Sequence, residues 1–137
     1  MPELITLLKS GIDNLNHVLM RDKLLEKPEE AVCLLMQELQ SNVSDIFAEF
    51  SIRTIGIAKI DVADDLMRII GKNEKSVYQL SLLCLLFGFQ KNPTIPQFLW
   101  NYYRFFKARY PGNSYWQGPF FGLWENWAST TFDGDRQ

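Results

Sequence analysis

The residues from Ser76 to Phe89 read SVYQLSLLCLLFGF, a stretch that is apolar on nearly every side of a helix. A helix of this kind is typical of the buried centre of a protein. Its strongly apolar part, from Leu80 onward, is about half as long as the roughly 20 residues that a membrane-spanning helix needs. We therefore predict an all-α, single-domain bundle of about five or six helices, with residues 76–89 at its centre and Cys84 buried.

Two amphipathic helices are predicted before this centre, over residues 2–25 and 28–50. Apolar residues recur in both at spacings of three and four, which places them on one face of each helix. The short break at residues 26–27 indicates an antiparallel helical hairpin. His17 falls on the polar face, so we expect a solvated histidine rather than a ligand or a base. Five apolar positions are expected to be buried: Leu8, Leu15, Leu35, Leu39 and Ile46.

Residues 51–60 are rich in isoleucine, which is compatible with a short strand. No second strand candidate exists to pair with it, so we interpret this segment as a turn that leads into a helix. Asp61 and Asp64 suit the N-terminal cap of that helix, and Gly71 suits its end.

Two further helices are predicted toward the C-terminus. Thr94, followed three residues later by Gln97, has the pattern of a capping box and predicts a helix over residues 95–108. A short helix is expected over residues 119–128, and residues 129–137 are interpreted as a tail.

Charge divides the chain into unequal parts. Residues 1–74 hold 8 basic and 13 acidic side chains, a net charge of −5, whereas residues 75–124 hold five basic side chains and no acid, a net charge of +5. The second stretch also contains 15 of the 19 aromatic residues. We accordingly distinguish, within the single domain, an acidic helical hairpin (1–52), an aromatic and basic half (53–128) and the tail (129–137).

Basic residues interleaved with aromatics, without acids, are typical of a nucleic-acid-binding surface. Cations neutralise phosphates, flat rings stack on bases, and carboxylates would repel the backbone. On the helical wheel Trp100 lies between Lys107 and Arg104, about 20° and 40° away. The candidate nucleic-acid-binding residues are Lys91, Trp100, Arg104, Lys107 and Arg109.

The same rings also suit a packing surface. Six residues of the predicted helix 95–108 cover one broad face that we expect to pack first: Phe98, Leu99, Tyr102, Tyr103, Phe105 and Phe106. Trp100 falls on the opposite face, and core packing gives no reason for fifty residues without an acid. Both interpretations of Trp100, exposed or packed in a core, remain open at this point.

The segment from residue 115 to 127 is dense in large rings and contains two glycines and a proline. The rings either cap the open end of the bundle or form a patch for a partner protein, since Trp and Tyr dominate such patches. The candidate partner-binding residues are Tyr115, Trp116, Trp124 and Trp127.

A weaker pattern has the spacing of a helix-turn-helix and is carried by Leu66, Ile70, Gly71, Val77 and Leu80. Lys72 stands where the turn is usually followed by an apolar residue, and residues 81–86 are too apolar to lie in a DNA groove. Any two consecutive helices can give this match. A buried hinge between core helices is the favoured interpretation.

No catalytic or cofactor site is predicted. The single histidine and the absence of CxxC or HxxxH spacing argue against a metal site, and no GxGxxG or GxxxxGK loop is present for a phosphate. Cys33 and Cys84 lie in apolar helical runs and are expected to be buried free thiols. Because no leader or membrane segment is recognised, a cytoplasmic location is expected.

The function expected from these patterns is that of a non-enzymatic helical subunit in a larger assembly with protein partners. It would contact the backbone of nucleic acid, single-stranded in the first instance, without base-specific readout. The alternative is an interaction adaptor, immunity protein or chaperone that docks through the acidic hairpin or the C-terminal aromatic patch. A helix-turn-helix regulator is the third possibility.

Overall fold

The structure is a computed structural model that describes the backbone of residues 1–72 and 74–135 and the side chains of these residues up to Ser129. Within the described residues it contains eight α-helices, one 3-10 turn and no strand. The predicted all-α class is confirmed. The predicted number of about five or six helices is too low, because each of the two long N-terminal helices is broken in two.

Residues Met1–Ile60 form one compact unit and residues Asp61–Gln137 a second. The first unit contains the helices α1 (Pro2–Gly11), α2 (His17–Leu24), α3 (Pro28–Leu39) and α4 (Asp45–Ala58), with a 3-10 turn at Ile12–Asn14. The second unit contains α5 (Ala63–Lys72), α6 (Val77–Gly88), α7 (Ile95–Arg109) and α8 (Gln117–Asp135).

Side-chain caps explain why the two predicted N-terminal helices are broken. The Asn16 side chain accepts a hydrogen bond from the Leu19 amide at 3.0 Å and starts α2. The Ser44 hydroxyl accepts one from the Phe47 amide at 3.1 Å and starts α4. A cap satisfies an amide that has no partner inside the helix, so the chain can begin a new helix wherever it is available.

Helix α4 continues to Ala58, so the predicted turn over residues 51–60 is wrong. The division expected after residue 52 consequently falls inside this helix. Lys59 ends α4 in the left-handed conformation, with φ 57° and ψ 40°. A helix commonly ends on such a residue, although glycine is its usual occupant.

The core of the first unit confirms three of the five expected positions: Leu8, Leu35 and Leu39 are buried. Leu15 is half-buried, and Ile46 is exposed over 45% of its surface. The break before α4 rotates its apolar face, so that Phe47 and Phe50 fill the core instead.

His17 is half-buried rather than solvated. Its Nε2 atom lies 2.8 Å from the Ile12 carbonyl oxygen, and its ring meets the Phe50 ring edge-on at 5.5 Å between centres. Both contacts give it a packing role within the first unit.

Helix α6 is the central element of the second unit, as predicted: it packs against α5, α7 and α8, and Cys84 within it is fully buried. Helix α7 confirms the predicted helix 95–108. Thr94 does not cap it through its side chain, because its hydroxyl donates to Asn92 Oδ1 instead. Gly71 does not end α5, which continues to Lys72.

The last helix is much longer than predicted. Helix α8 runs from Gln117 to Asp135 instead of over residues 119–128, so the tail interpretation is wrong for residues 129–135. Arg136 and Gln137, the rest of the predicted tail, lie outside the described residues.

Helices α6 and α8 approach backbone to backbone. A Cβ atom placed on Gly118 would overlap the carbonyl of Ser81, and one on Gly122 would lie 2.8 Å from the Cys84 carbonyl oxygen. Four residues beyond Gly122, the buried Asn126 donates to the carbonyl oxygens of residues 90 and 88 at 3.2 and 3.4 Å. Residues four apart share one helix face, so this face of α8 is the one turned to α6.

Candidate functional site

Because Gly118 and Gly122 of α8 face α6, the large rings of α8 lie on its outer side. Four aromatic residues at the spacing of one helix face are exposed: Phe120, Phe121, Trp124 and Trp127. The two tryptophans are the most open of these, at 56% and 53% of their surface. Isolated exposed apolar side chains are ordinary, whereas a row of large rings marks an interaction surface.

Helix α7 presents a second part of the same surface. Leu99 and Phe106 are buried, and Trp100, Arg104 and Lys107 are exposed. At 100° per residue the last three lie within about 60° of one another on the helix. The structure thus places the three central candidates of the predicted nucleic-acid site side by side on one exposed face.

Ring contacts join the two helices into one surface. The Trp100 ring stacks on Tyr103 at 5.4 Å with an interplanar angle of 21°. Tyr103 in turn meets Trp116 at 6.2 Å and Phe120 at 6.1 Å, and Phe120 meets Phe121 at 5.3 Å. We call the combined surface the aromatic face; it consists of Trp100, Tyr103, Trp116, Phe120, Phe121, Trp124 and Trp127.

The charge at this face is positive at its α7 end. The Lys107 Nζ atom lies over the Trp116 ring, 4.9 Å from its centre, which is the geometry of a cation–π contact. Among the described side chains, no carboxylate forms an ion pair with Lys107 or Arg104. Helix α8 has no basic residue between its start and Asp135, so the cations lie at one end of the face only.

Three of the predicted site residues do not join this face. Lys91 is exposed in the loop between α6 and α7, and Arg109 is exposed about 180° around α7 from Trp100. Tyr115 is half-buried and packs against Tyr110 and Phe106, with ring centres at 5.6 and 6.5 Å. Trp116, Trp124 and Trp127 do belong to the face.

The buried face of α7 is narrower than the predicted one, since only Leu99 and Phe106 of the six residues are fully buried. Phe98, Tyr102 and Tyr103 are half-buried, and Phe105 is exposed over 45% of its surface. Trp100 is exposed over 46%, so it is not a core residue.

The sequence pattern alone does not single out Phe120, Phe121 and Tyr103 as members of a surface. The signal for the first two is the spacing Gly118-x3-Gly122, which lets a neighbouring helix approach and turns the bulky residues outward. Tyr103 has no comparable signal in the sequence; it is half-buried and joins the face through its ring contacts with Trp100, Trp116 and Phe120.

The helix-turn-helix alternative gains nothing from the position of α6. Its outer side carries Tyr78, Leu82 and Leu85, and no cation lies between residues 76 and 90. A recognition helix needs polar and basic side chains toward the DNA groove.

No group of three or more metal-binding side chains occurs in the part of the chain that the structure describes. In the same part, no helix is long and apolar enough to cross a membrane. Comparison with known proteins adds no assignment, since the chain matches no protein-family model, no curated protein and no solved structure.

Proposed function

We propose that this protein is a non-enzymatic helical subunit that binds single-stranded nucleic acid on its aromatic face, without base-specific readout. The observation that carries the proposal is the exposure of Trp100, Arg104 and Lys107 together on α7, within fifty residues that contain no acid. Stacking rings and unpaired cations are the two components that sequence-independent strand binding requires.

In this proposal each group has its own role. Tyr103 supports one side of the Trp100 ring at 5.4 Å, and a base stacks on the part that remains exposed. Arg104 and Lys107 lie beside that ring and hold the adjacent phosphates. Phe120 and Phe121 continue the row of rings onto α8, so that the next bases of the strand find further stacking partners.

A second candidate function is favoured by the far end of the same face. Trp124 and Trp127 are its most exposed rings and contact each other at 5.2 Å, yet α8 carries no cation near them. Tryptophans are enriched at the centre of protein–protein interfaces, where they carry much of the binding energy. We propose that this end docks a protein partner in the assembly.

The strand-binding proposal is tested by fluorescence anisotropy with a labelled oligodeoxythymidylate of about 15 nucleotides at low salt. Trp100→Ala is expected to weaken binding roughly 5- to 150-fold, the equivalent of about 1–3 kcal/mol for one stacked base. Phe105→Ala is the matched control, because this ring is on the same helix, is equally exposed at 45% against 46%, and points away from Arg104 and Lys107. It is expected to leave the affinity unchanged.

The melting temperature of both variants separates binding from folding. An exposed ring contributes little to a core, so neither variant should melt far below the wild type. If the wild type shows no affinity for the oligonucleotide at low salt, the proposal is wrong. If Trp124→Ala loses a co-purifying protein while strand affinity is kept, the second candidate function is supported.

A further inference from the structure

A cavity of about 230 Å³ opens in the second unit, between α6, the loop before α8 and the first turn of α8. It lies next to the aromatic face and shares Phe121 with it. Its principal lining residues are Tyr78, Leu82, Leu85, Tyr115, Gln117 and Phe121.

The cavity is lined by two kinds of side chain. Leu82, Leu85 and the aromatic rings form apolar walls, whereas Ser114 and Gln117 place a hydroxyl and an amide at its rim. None of the described residues that line it is charged, which favours an occupant that is uncharged where it is enclosed. Apolar walls with a few polar groups are characteristic of a site for a small ring compound, and the volume is below the 300–1,000 Å³ or so of sites for larger ligands.

One hydrogen bond fixes the wall of the cavity. The Ser81 hydroxyl donates to the Tyr115 carbonyl oxygen at 2.7 Å and ties the loop before α8 to α6. The main chain of Gly118 packs closely against Ser81 of α6, so the first turn of α8 is held there as well. The main chain on both sides of the cavity is therefore held in place.

Phe121 connects the cavity to the aromatic face. It lines the cavity, and its ring meets Phe120 of the face at 5.3 Å. A strand that stacks on Phe120 would therefore lie next to the opening of the cavity.

We propose that the cavity takes one nucleobase of the bound strand. The inference rests on the proposed strand binding and deepens it. A nucleobase is flat, uncharged and polar only along its edge, which matches the rings of Tyr115 and Phe121 and the hydrogen-bonding groups of Gln117 and Ser114. Single-stranded recognition commonly uses one base that is turned out of the strand and held between aromatic side chains.

The test is a titration of the ¹⁵N-labelled full chain with adenosine 5′-monophosphate, followed by NMR. We expect saturable shifts of the Gly118 and Ser81 amides, which border the cavity. Ribose 5-phosphate has the same sugar and phosphate but no base, and it is expected to leave these amides unchanged.

Two variants close the cavity from different sides. Leu82→Phe fills it from the wall, and Ser114→Phe fills it from the exposed rim, where folding is not at risk. Both are expected to weaken mononucleotide binding at least tenfold. Asn113→Phe is the matched control, since it adds the same ring to the same exposed loop at a residue that does not line the cavity.

The outcomes distinguish the base site in the cavity from the strand-binding proposal on which it rests. Oligonucleotide binding without any shift at Gly118 and Ser81 overturns the cavity as a base site and leaves strand binding intact. Equal shifts with ribose 5-phosphate overturn it too, because the phosphate would then be the group recognised. Shifts with the mononucleotide but no oligonucleotide affinity would leave the cavity as a site for a free nucleotide, and would overturn both strand binding and the placement of a strand base in the cavity.

Discussion

The main chains of Gly88 and Gly122 touch, so that a Cβ atom on Gly88 would overlap the carbonyl group of Gly122. At this contact α6 and α8 meet main chain to main chain. It also decides the orientation of α8: the side with the glycines faces α6, and Phe120, Phe121 and Trp124 are left outside.

The first prediction concerns this contact. Gly88→Ala should lower the free energy of unfolding by about 1–3 kcal/mol or more, because the new methyl group meets main chain that has no room to shift. Gly71→Ala is the control: nothing lies within 4 Å of its added Cβ, and alanine is the better helix former by about 1 kcal/mol. Urea denaturation measures both. Equal stability of the two variants would contradict the close packing.

Asn126 gives the second prediction. Its amide donates to the carbonyl oxygens of Gln90 and Gly88, and an ionised aspartate cannot donate. Asn126→Asp is therefore expected to destabilise the protein by about 1–3 kcal/mol at pH 7 and to recover in part at acidic pH, where the carboxyl group is protonated. The exposed Asn113→Asp should change little. Chemical denaturation at pH 5 and pH 7 distinguishes the two sites.

The third prediction uses the two cysteines. Cys84 is fully buried, and burial raises the pKa of its thiol, so it should not react with a thiol reagent in the folded protein. The expected burial of Cys33 is wrong: its thiol is exposed on α3, and it serves as the internal reference. We expect one thiol to react under native conditions and two in denaturant. Labelling of Cys84 in the native protein would show that α6 is not a stable central helix.

The same thiol makes stability depend on pH. The folded state holds the Cys84 thiol neutral, whereas in the unfolded chain this thiol loses its proton near its ordinary pKa of 9.0. The contribution of Cys84 to the free energy of unfolding is therefore fully present below pH 9 and falls as the pH rises above it. The slope from this one group reaches about 1.4 kcal/mol per pH unit. Denaturation between pH 8 and pH 10 should show a weaker decline in Cys84→Ala, and an unchanged decline in the exposed control Cys33→Ala.

The fifth prediction tests the cations of the aromatic face. Lys107→Ala should reduce the slope of log affinity against log salt by about 0.7, which corresponds to one phosphate contact with a single strand. Arg109→Ala removes the same charge from the opposite side of α7 and should leave the slope unchanged. An equal effect of the two variants would mean that strand binding follows the net charge rather than this face.

The pattern of the chain was sufficient to predict α6 and α7, but not the helix breaks of the first unit or the length of α8. Residues 76–89 are apolar all round, so only a central helix satisfies them, and Cys84 lies there as expected. The stripe over residues 28–50 looks continuous in sequence. The Ser44 cap nevertheless begins a new helix, because a local hydrogen bond competes with continuation of the previous one.

The sequence by itself determined the helical class, the buried position of α6 and the acid-free aromatic stretch, because these follow from hydrophobic periodicity and from composition. Only the tertiary structure decided which rings are exposed. Trp100 and Phe105 have similar exposure on different sides of α7, and Trp124 is outside because Gly122 is inside. The physical reason is that a helix has one side for its closest neighbour, and glycine admits a main chain where an aromatic ring cannot.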